Sequence, residues 1–291
     1  MYKLIAIDLD GTTLNSYGEV TENTKRVIKQ TRQKGVDVVI ASGRSIDSIR
    51  TIAKEIDSSK YMVAGNGAVV YDIENEKIMY EKYIPKNKAL EIIKICEQNS
   101  IYYNVYTNKS IIADSLRCNV LYYYKENLKK EDSKKTNITL VDNIPRYIEE
   151  MKDEKIMKIF IADNAKSVFN SIIKKFSNIQ DIDILDVSHM SKKNIKHGTE
   201  EVTIEYYYTE ISMKNVDKWY ALEFLMDKLG VKQEEVIAIG DNTNDKIMIK
   251  EAGLGVVMKG STPVVSEFAD YITDDNNNEG VAKAIEKFIN I

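Results

Sequence analysis

The chain has 291 residues, 43% of them hydrophobic and 30% charged, so it is long enough for two domains with a sizeable core. Its formal net charge of -4, with both signs mixed along the chain, argues against nucleic acid as the main partner. Two cysteines, Cys96 and Cys118, are too few for a disulfide framework and lack metal-ligand spacing. The apolar segment 1–7 is too short for a signal peptide or a membrane span, so we expect a cytoplasmic protein without a membrane partner.

The first part of the chain alternates short apolar runs with amphipathic segments. Apolar runs at Lys3–Ile7, Val36–Ala41 and Tyr61–Ala64 predict strands. The segments Thr21–Gln33 and Ser45–Ile56 predict helices between them. Apolar strands that alternate with helices are typical of a parallel sheet covered on both faces. We therefore predict an α/β fold with a doubly wound, mainly parallel sheet.

The last part of the chain shows the same alternation of strands and helices, whereas the middle differs. From about residue 85 to residue 208 the chain is rich in Lys, Tyr and Ile, and predicted strands and helices follow one another in a less regular order. We predict that 85–208 form an inserted α+β domain, within a core domain made of 1–84 and 209–291.

Two carboxylates follow the first predicted strand, in the run Asp8-Leu9-Asp10-Gly11-Thr12. Charge at the end of an apolar run is costly unless a metal ion or a partner compensates it. Asp8 could attack a phosphorus atom and form an aspartyl-phosphate, which splits one difficult displacement into two easier steps. Asp10 could protonate the leaving oxygen and then activate water, while Gly11 lets the backbone turn closely. A capped turn with two solvated acids is the alternative interpretation.

Two further motifs could hold a phosphate group. Ser42 and Gly43 follow the second predicted strand, where a hydroxyl and a backbone N–H suit a phosphoryl oxygen, although Ser-Gly is also common turn chemistry. Lys218 opens the first predicted helix of the last part of the chain. A cation there adds to the positive helix N-terminus and could neutralise a phosphate. A surface lysine is the alternative, and Lys214 is a local competitor.

A fourth motif follows a predicted strand near the end of the chain and consists of Gly240, Asp241, Asn242, Thr243, Asn244 and Asp245. Its two acids and two amides are oxygen ligands of the kind that Mg2+ prefers, although an Asx-rich turn that caps a helix is the alternative. Loops at the carboxyl ends of parallel strands meet at one crevice. Together the four motifs supply a nucleophile, an acid/base, a hydroxyl, a cation and metal ligands, which are the parts that phosphoryl transfer needs.

With these motifs the sequence resembles the haloacid dehalogenase (HAD) superfamily over nearly its whole length. More closely, it resembles the Cof-type phosphatases that carry a large α+β cap of type IIB (C2). The residues that match the four family motifs are Asp8, Asp10, Gly11, Thr12, Ser42, Lys218, Gly240, Asp241, Asn244 and Asp245. Asn66-Gly67-Ala68, after the third predicted strand, resembles a family turn that faces the substrate.

The resemblance implies a Mg2+-dependent phosphatase that hydrolyses a small phosphorylated metabolite, such as a sugar phosphate or a cofactor phosphate. Asp8 would be the nucleophile and a metal ligand, and Asp10 the general acid/base, whose backbone carbonyl also reaches the metal. Asp241 and Asp245 would complete the metal site. The implied phosphate- or substrate-binding residues are Gly11, Thr12, Ser42, Gly43, Asn66, Lys218 and Asn244. The inserted domain would be the cap that closes over the substrate and selects it.

The sequence departs from the family pattern at Asp217-Lys218-Trp219, where the family usually has Ser-Lys-Gly. Asp217 could pair with the lysine, and Trp219 would crowd a place that is usually left small. Two other functions stay open: a phosphomutase or phosphotransferase that uses the same nucleophile, and a non-catalytic protein that binds a phosphorylated metabolite. We expect a monomer or a homodimer.

Overall fold

The structure, a computed structural model, describes residues 1–128, 131–132, 135–185, 190–197 and 200–291. Its strands, in chain order, are β1 (Leu4–Ile7), β2 (Asp37–Ala41), β3 (Tyr61–Ala64), β4 (Val69–Asp72), β5 (Lys77–Glu81), β6 (Tyr102–Thr107), β7 (Ile111–Ala113), β8 (Ile138–Leu140), β9 (Ile156–Asp163), β10 (Ile182–Ile184), β11 (Met190–His197), β12 (Glu200–Met213), β13 (Val236–Gly240), β14 (Leu254–Val257) and β15 (Tyr271–Ile272). Its α-helices are α1 (Glu22–Gln33), α2 (Ile46–Glu55), α3 (Lys86–Gln98), α4 (Cys118–Asn127), α5 (Ile144–Glu150), α6 (Lys166–Phe176), α7 (Lys218–Leu229), α8 (Lys246–Glu251), α9 (Pro263–Ser266) and α10 (Gly280–Phe288).

The chain divides into two compact units. The first unit is Met1–Glu81 together with Val216–Ile291, and the second unit is Lys82–Asn215 between them. The sequence placed the second boundary after residue 208, but β12 continues past that residue without a break. The rest of β12 pairs with β9 and β10 of the second unit, for example Ile211 with both Ile159 and Ile184.

An eight-stranded sheet with the order β15-β14-β13-β1-β2-β3-β4-β5 forms the first unit. The strands from β15 to β3 are parallel, and only β4 and β5 run antiparallel to their neighbours. This arrangement confirms the predicted α/β class with its doubly wound, mainly parallel sheet. From β1 the chain moves outward on one side to β2 and β3, and after β13 it moves outward on the other side. A ligand crevice is expected where these directions diverge, at the carboxyl ends of β1 and β13.

The central strands are buried along their whole length, which explains their apolar runs. Every residue of β1 and of β13 is buried, as expected for parallel strands covered on both faces. Two strands of this sheet, β4 and β5, were not predicted. Strand β5 lies at the sheet edge and is mostly exposed, and its apolar run Ile78-Met79-Tyr80 is shorter than the runs that predicted β1, β2 and β3.

A second, mostly antiparallel sheet forms the second unit, with the order β10-β12-β9-β6-β7-β8 and with β11 paired to β12. Helices α3, α5 and α6 supply Ile92, Ile148 and Phe169 to the core that also contains Ile159 of β9. This confirms the predicted inserted α+β domain. Helix α4 was not predicted. The sequence also predicts a strand at 183–187, and residues 186–187 of that prediction lie outside the described residues.

Aromatic side chains line part of the second unit's sheet. Phe160 stacks on Tyr208 with ring centroids 5.4 Å apart, and Tyr206 contacts both rings edge-on. Tyr102 joins this cluster and is buried. Rings that pack against one another across a sheet stabilise the sheet itself.

Among the helices that the structure describes, none is both long and apolar enough to cross a membrane.

Candidate active site

Asp8, directly after β1, is held by its backbone at the centre of the sheet. Its N–H donates to the carbonyl of Ile239 at 3.0 Å, and its own carbonyl accepts from the hydroxyl of Thr13 at 2.5 Å. The residue is buried. Because β1 lies between β2 and β13, this position brings Asp8 next to the loops that follow both neighbours.

Lys218, the first residue of α7, joins two of the predicted site carboxylates. Its ammonium group lies 2.6 Å from Oδ1 of Asp8 and 2.5 Å from Oδ1 of Asp245. The side chain is completely buried, so neither ion pair is weakened by solvent. Burial by itself lowers the pKa of Lys218, but the charges of Asp245 and Asp8 outweigh it and raise that pKa. The competing Lys214 belongs to the second unit.

The unusual neighbours of Lys218 serve the helix and the core. The Asp217 carboxylate caps α7 and accepts hydrogen bonds from the N–H groups of Trp219 at 2.7 Å and Tyr220 at 3.0 Å. Trp219 is buried in the core of the first unit, and its indole N–H donates to Glu223 at 3.0 Å. The indole therefore belongs to the core of the first unit.

The fourth motif places two more carboxylates at this edge of the sheet. Oδ1 of Asp241 accepts the hydroxyl of Thr12 at 2.8 Å. Oδ2 of Asp245 accepts the backbone N–H groups of Asp241 and Asn242, at 3.0 and 3.1 Å. Since Oδ1 of Asp245 accepts from Lys218, both oxygens of that carboxylate have protein partners. Asp245 thus fixes both the loop that carries Asp241 and the lysine.

Gly11 makes room for Asp241 in this arrangement. Its φ of +83° lies in the left-handed region, which side chains rarely adopt. A Cβ atom at this position would stand 2.4 Å from Oδ2 of Asp241. The glycine is therefore required for the first and fourth motifs to meet.

The carboxylates of Asp8, Asp241 and Asp245 form one acidic group, with one oxygen of each lying within 4.8 Å of the others. Three carboxylates and the single ammonium of Lys218 leave an excess of negative charge when all are ionised. Burial raises the pKa of Asp8 well above its usual range; Lys218 opposes this rise, while Asp245 and Asp241 add to it. Burial and the charge of Asp245 raise the pKa of Asp241 to about 7.

These carboxylates fit a hard divalent cation. Among the described residues, Oδ2 of Asp8 and Oδ2 of Asp241 accept no hydrogen bond, whereas the other oxygen of each does. A cation bound by oxygen ligands would compensate the excess charge and favour the ionised form of both acids. The donor set contains no nitrogen or sulfur ligand, which is what Mg2+ or Ca2+ prefers.

Three of the predicted phosphate-binding residues, Ser42, Gly43 and Asn66, lie at the ends of β2 and β3. Ser42 is buried, and its carbonyl accepts the N–H of Asn66 at 3.0 Å. The Asn66 side-chain oxygen accepts from Asn244 at 3.0 Å, which joins the turn after β3 to the fourth motif. Gly43 lies against this amide, since a Cβ there would be 2.7 Å from the Asn66 oxygen. The Thr12 hydroxyl is directed to Asp241 instead.

Asp10 does not belong to the acidic group formed by Asp8, Asp241 and Asp245. Its side chain is 62% exposed and receives the guanidinium of Arg44 through Nε at 2.7 Å and Nη2 at 2.5 Å. Sequence reasoning gave Arg44, beside Ser42 and Gly43, no role. The sequence did contain a signal for Arg44, because this cation lies two residues after the predicted phosphate ligand Ser42, at the end of a predicted strand.

Comparisons with known proteins agree with this geometry. The model of the haloacid dehalogenase-like hydrolase family matches residues 5–285, so the chain belongs to that family. The chain is 27% identical to the 5-amino-6-(5-phospho-D-ribitylamino)uracil phosphatase YcsE of Bacillus subtilis (strain 168), over 99% of this chain and 96% of that protein. It is 30% identical to the putative phosphatase YxeH of the same organism, over 99% of both.

A solved structure gives the same result for the fold. The HAD subclass IIB sugar phosphatase BT4131 superposes with a TM-score of 0.75 at 19% identity, over 99% of this chain and 100% of that one. At this identity the likeness concerns the fold alone. The predicted superfamily and enzyme class, a HAD phosphatase, are confirmed by the family match and by the phosphatase relatives.

Proposed function

We propose that the chain is a Mg2+-dependent phosphatase that hydrolyses a small phosphorylated metabolite through an aspartyl-phosphate on Asp8. One observation carries this proposal. The carboxylates of Asp8, Asp241 and Asp245 converge with an excess of negative charge, although Lys218 pairs with Asp8 and Asp245. A divalent cation would balance that charge and keep Asp8 ionised, as a nucleophile must be.

In this proposal Asp8 and Asp241 hold Mg2+ through their side chains, and Asp10 does so through its backbone carbonyl. Asp245 supports the site indirectly, because both of its oxygens already accept hydrogen bonds. Bound Mg2+ would neutralise charge on the transferring phosphoryl group. Lys218 would add a second positive charge from the start of α7.

The reaction then proceeds in two displacements. A carboxylate oxygen of Asp8 bonds to phosphorus while the bond from phosphorus to the leaving oxygen breaks, and Asp10 gives that oxygen a proton. In the second step a water molecule gives a proton to Asp10, while the oxygen of that water bonds to phosphorus. The bond between Asp8 and phosphorus breaks, which releases phosphate and restores both carboxyl groups.

The remaining predicted residues would hold the phosphate and the substrate. Ser42, Gly43 and Asn66 surround the ends of neighbouring strands, and Asn66 is joined to Asn244. The second unit is proposed as the cap that selects the substrate. The relative YcsE is named for a substrate with a phosphorylated ribityl group. That name supports a sugar phosphate or a cofactor phosphate as the class of substrate here.

The test is the substitution Asp8→Asn, which keeps the size of the side chain but removes the nucleophile. With Mg2+ and 4-nitrophenyl phosphate we expect turnover to fall by at least about 1,000-fold, because no aspartyl-phosphate can form. Phosphate release measures the effect, and a panel of phosphorylated metabolites extends the assay. The exposed acid Asp47 in the first turn of α2 provides the control variant Asp47→Asn, which should retain full activity.

Undiminished turnover in Asp8→Asn would reject the nucleophile. Isomerised phosphate in place of free phosphate, in the presence of a sugar acceptor, would instead indicate a mutase. Mg2+-dependent binding without turnover across the panel would indicate a protein that only binds its ligand.

A further inference from the structure

Arg44 donates two parallel hydrogen bonds to Asp10, the predicted acid/base residue. Nε donates to Oδ2 of Asp10 at 2.7 Å, and Nη2 donates to Oδ1 at 2.5 Å. A planar guanidinium that meets a carboxylate in this way fixes its orientation as well as its distance. The proposed mechanism assigns the proton transfers to this carboxylate and leaves the arginine without a role.

The arginine is itself held in place by the first unit. Its N–H donates to Oγ of Ser42 at 3.3 Å, and its carbonyl accepts the N–H of Gly65 at 2.9 Å. Its Nη1 donates to Oγ of Ser48, in the first turn of α2, at 3.4 Å. The guanidinium therefore extends from a backbone that β2 and the turn after β3 fix on both sides.

The ion pair between Asp10 and Arg44 contributes little to the stability of the fold. The side chain of Asp10 is 62% exposed and that of Arg44 is 27% exposed. Ion pairs this close to solvent contribute little to folding. An exposed carboxylate on a loop would otherwise lose considerable freedom in order to reach one productive orientation. The pair is therefore better explained by where it holds Asp10.

We propose that Arg44 is a positioning residue that orients the Asp10 carboxyl group for proton transfer; this inference rests on the proposed function. In the first step one Asp10 oxygen gives its proton to the leaving oxygen while the other stays bonded to the guanidinium, and the resulting carboxylate accepts both hydrogen bonds of Arg44. In the second step one oxygen of the carboxylate takes a proton from water, while the other oxygen keeps its hydrogen bond from Arg44. Loss of the two hydrogen bonds from Arg44 to Asp10 should therefore slow reactions that depend on proton transfer, and leave phosphate binding unchanged.

The experiment compares two substrates of nearly the same shape whose leaving groups differ. 4-Nitrophenolate departs readily without a proton, whereas the poorer leaving group of phenyl phosphate needs one. The quantity measured is kcat/KM, which reports formation of the aspartyl-phosphate. In Arg44→Gln we expect kcat/KM for phenyl phosphate to fall about 10- to 100-fold, and that for 4-nitrophenyl phosphate to change by less than about threefold.

Two further variants make the result specific. Arg44→Lys keeps the positive charge but lacks the planar pair of N–H donors. We therefore expect it to lose kcat/KM for phenyl phosphate in the same way as Arg44→Gln. If Arg44→Gln fails to fold, Arg44→Lys decides the matter alone. Arg50→Gln is the matched control, because Arg50 lies on α2 and also pairs with exposed acids, Asp47 and Glu76. It should leave kcat/KM unchanged for both substrates.

Equal losses for the two substrates would overturn the inference and indicate that Arg44 binds the phosphate itself. No loss with either substrate would also overturn it. Both outcomes leave the proposed function intact as long as the wild type hydrolyses the substrates. A wild type that hydrolyses neither one, nor any compound of the metabolite panel, would reject the proposed function.

Discussion

At the scale of single residues, the candidate site is organised by buried charges of opposite sign. Lys218 lies between Asp8 and Asp245, and all three side chains are shielded from solvent. Removing one partner from such a group leaves a buried charge without compensation, which costs far more than an exposed pair contributes. Asp10 and Arg44 show the opposite situation, because their pair is exposed and orients a carboxylate.

The two cysteines should differ in their reactivity with thiol reagents. Burial raises the pKa of Cys118, which lines a surface pocket with Tyr102 and Arg117, to about 11. Burial raises the pKa of Cys96, inside the second unit, further beyond its usual range. Since the thiolate is the reactive form, labelling of Cys118 in the native protein should accelerate about tenfold per pH unit between about pH 7 and pH 9.

The rate of reaction with a chromogenic disulfide measures this effect. Cys118→Ser should abolish labelling of the native protein, while Cys96 should react only after unfolding. Rapid reaction of both thiols near pH 7 would contradict the assignment.

At the scale of elements, the site depends on turns that bring strand ends against helix starts. The turn Gly65–Gly67 after β3 lies against the residue that caps α7. A Cβ on Gly67 would stand 1.9 Å from the backbone oxygen of Asp217, and its φ of +99° is unfavourable for any other residue. The contact helps to place Lys218, because that lysine directly follows Asp217.

Gly67→Ala should therefore destabilise the protein by about 3 kcal/mol. About half of this comes from the left-handed backbone and the rest from overlap with a backbone atom that cannot move freely. The free energy of unfolding in urea is the measurement. Gly18→Ala is the matched control, because Gly18 has a φ of +77° but no atom within 4 Å of the position that a Cβ would take. It should cost only about 1 kcal/mol. Equal losses in the two variants would show that the contact with Asp217 is not tight.

At the scale of the whole molecule, the chain consists of two compact units with separate cores. All three residues of the acidic group belong to the first unit. A ligand that binds only the folded form of one unit stabilises that unit by mass action. Thermal unfolding should therefore reveal which unit binds the metal.

Mg2+ at about 100 times its dissociation constant should stabilise the first unit by about 2.7 kcal/mol, which raises its midpoint by roughly 5 to 10 °C. Scanning calorimetry with Mg2+ and then with a chelator measures the shift. Asp241→Asn should lose the shift because it removes a charged ligand, whereas the exposed control Asp47→Asn should keep it. A shift of the same size in Asp241→Asn would contradict the proposed metal site.

The class of fold and most residues of the candidate site could be predicted from local sequence patterns. The apolar runs of β1, β2 and β13 are local patterns, and a charged residue that ends such a run is visible without coordinates. The sequence pattern did not reveal the edge strand β5, because its apolar run Ile78-Met79-Tyr80 is short and at most half-buried.

The tertiary structure determines which distant residues meet. It brought Lys218, which the family resemblance favoured, to Asp8 and left Lys214 in the other unit. It also paired Arg44 with Asp10, 34 positions earlier in the sequence. Side chains so far apart come together only because parallel strands place their carboxyl ends along one edge of the sheet. The register of those strands, which packing sets, determines the pairs.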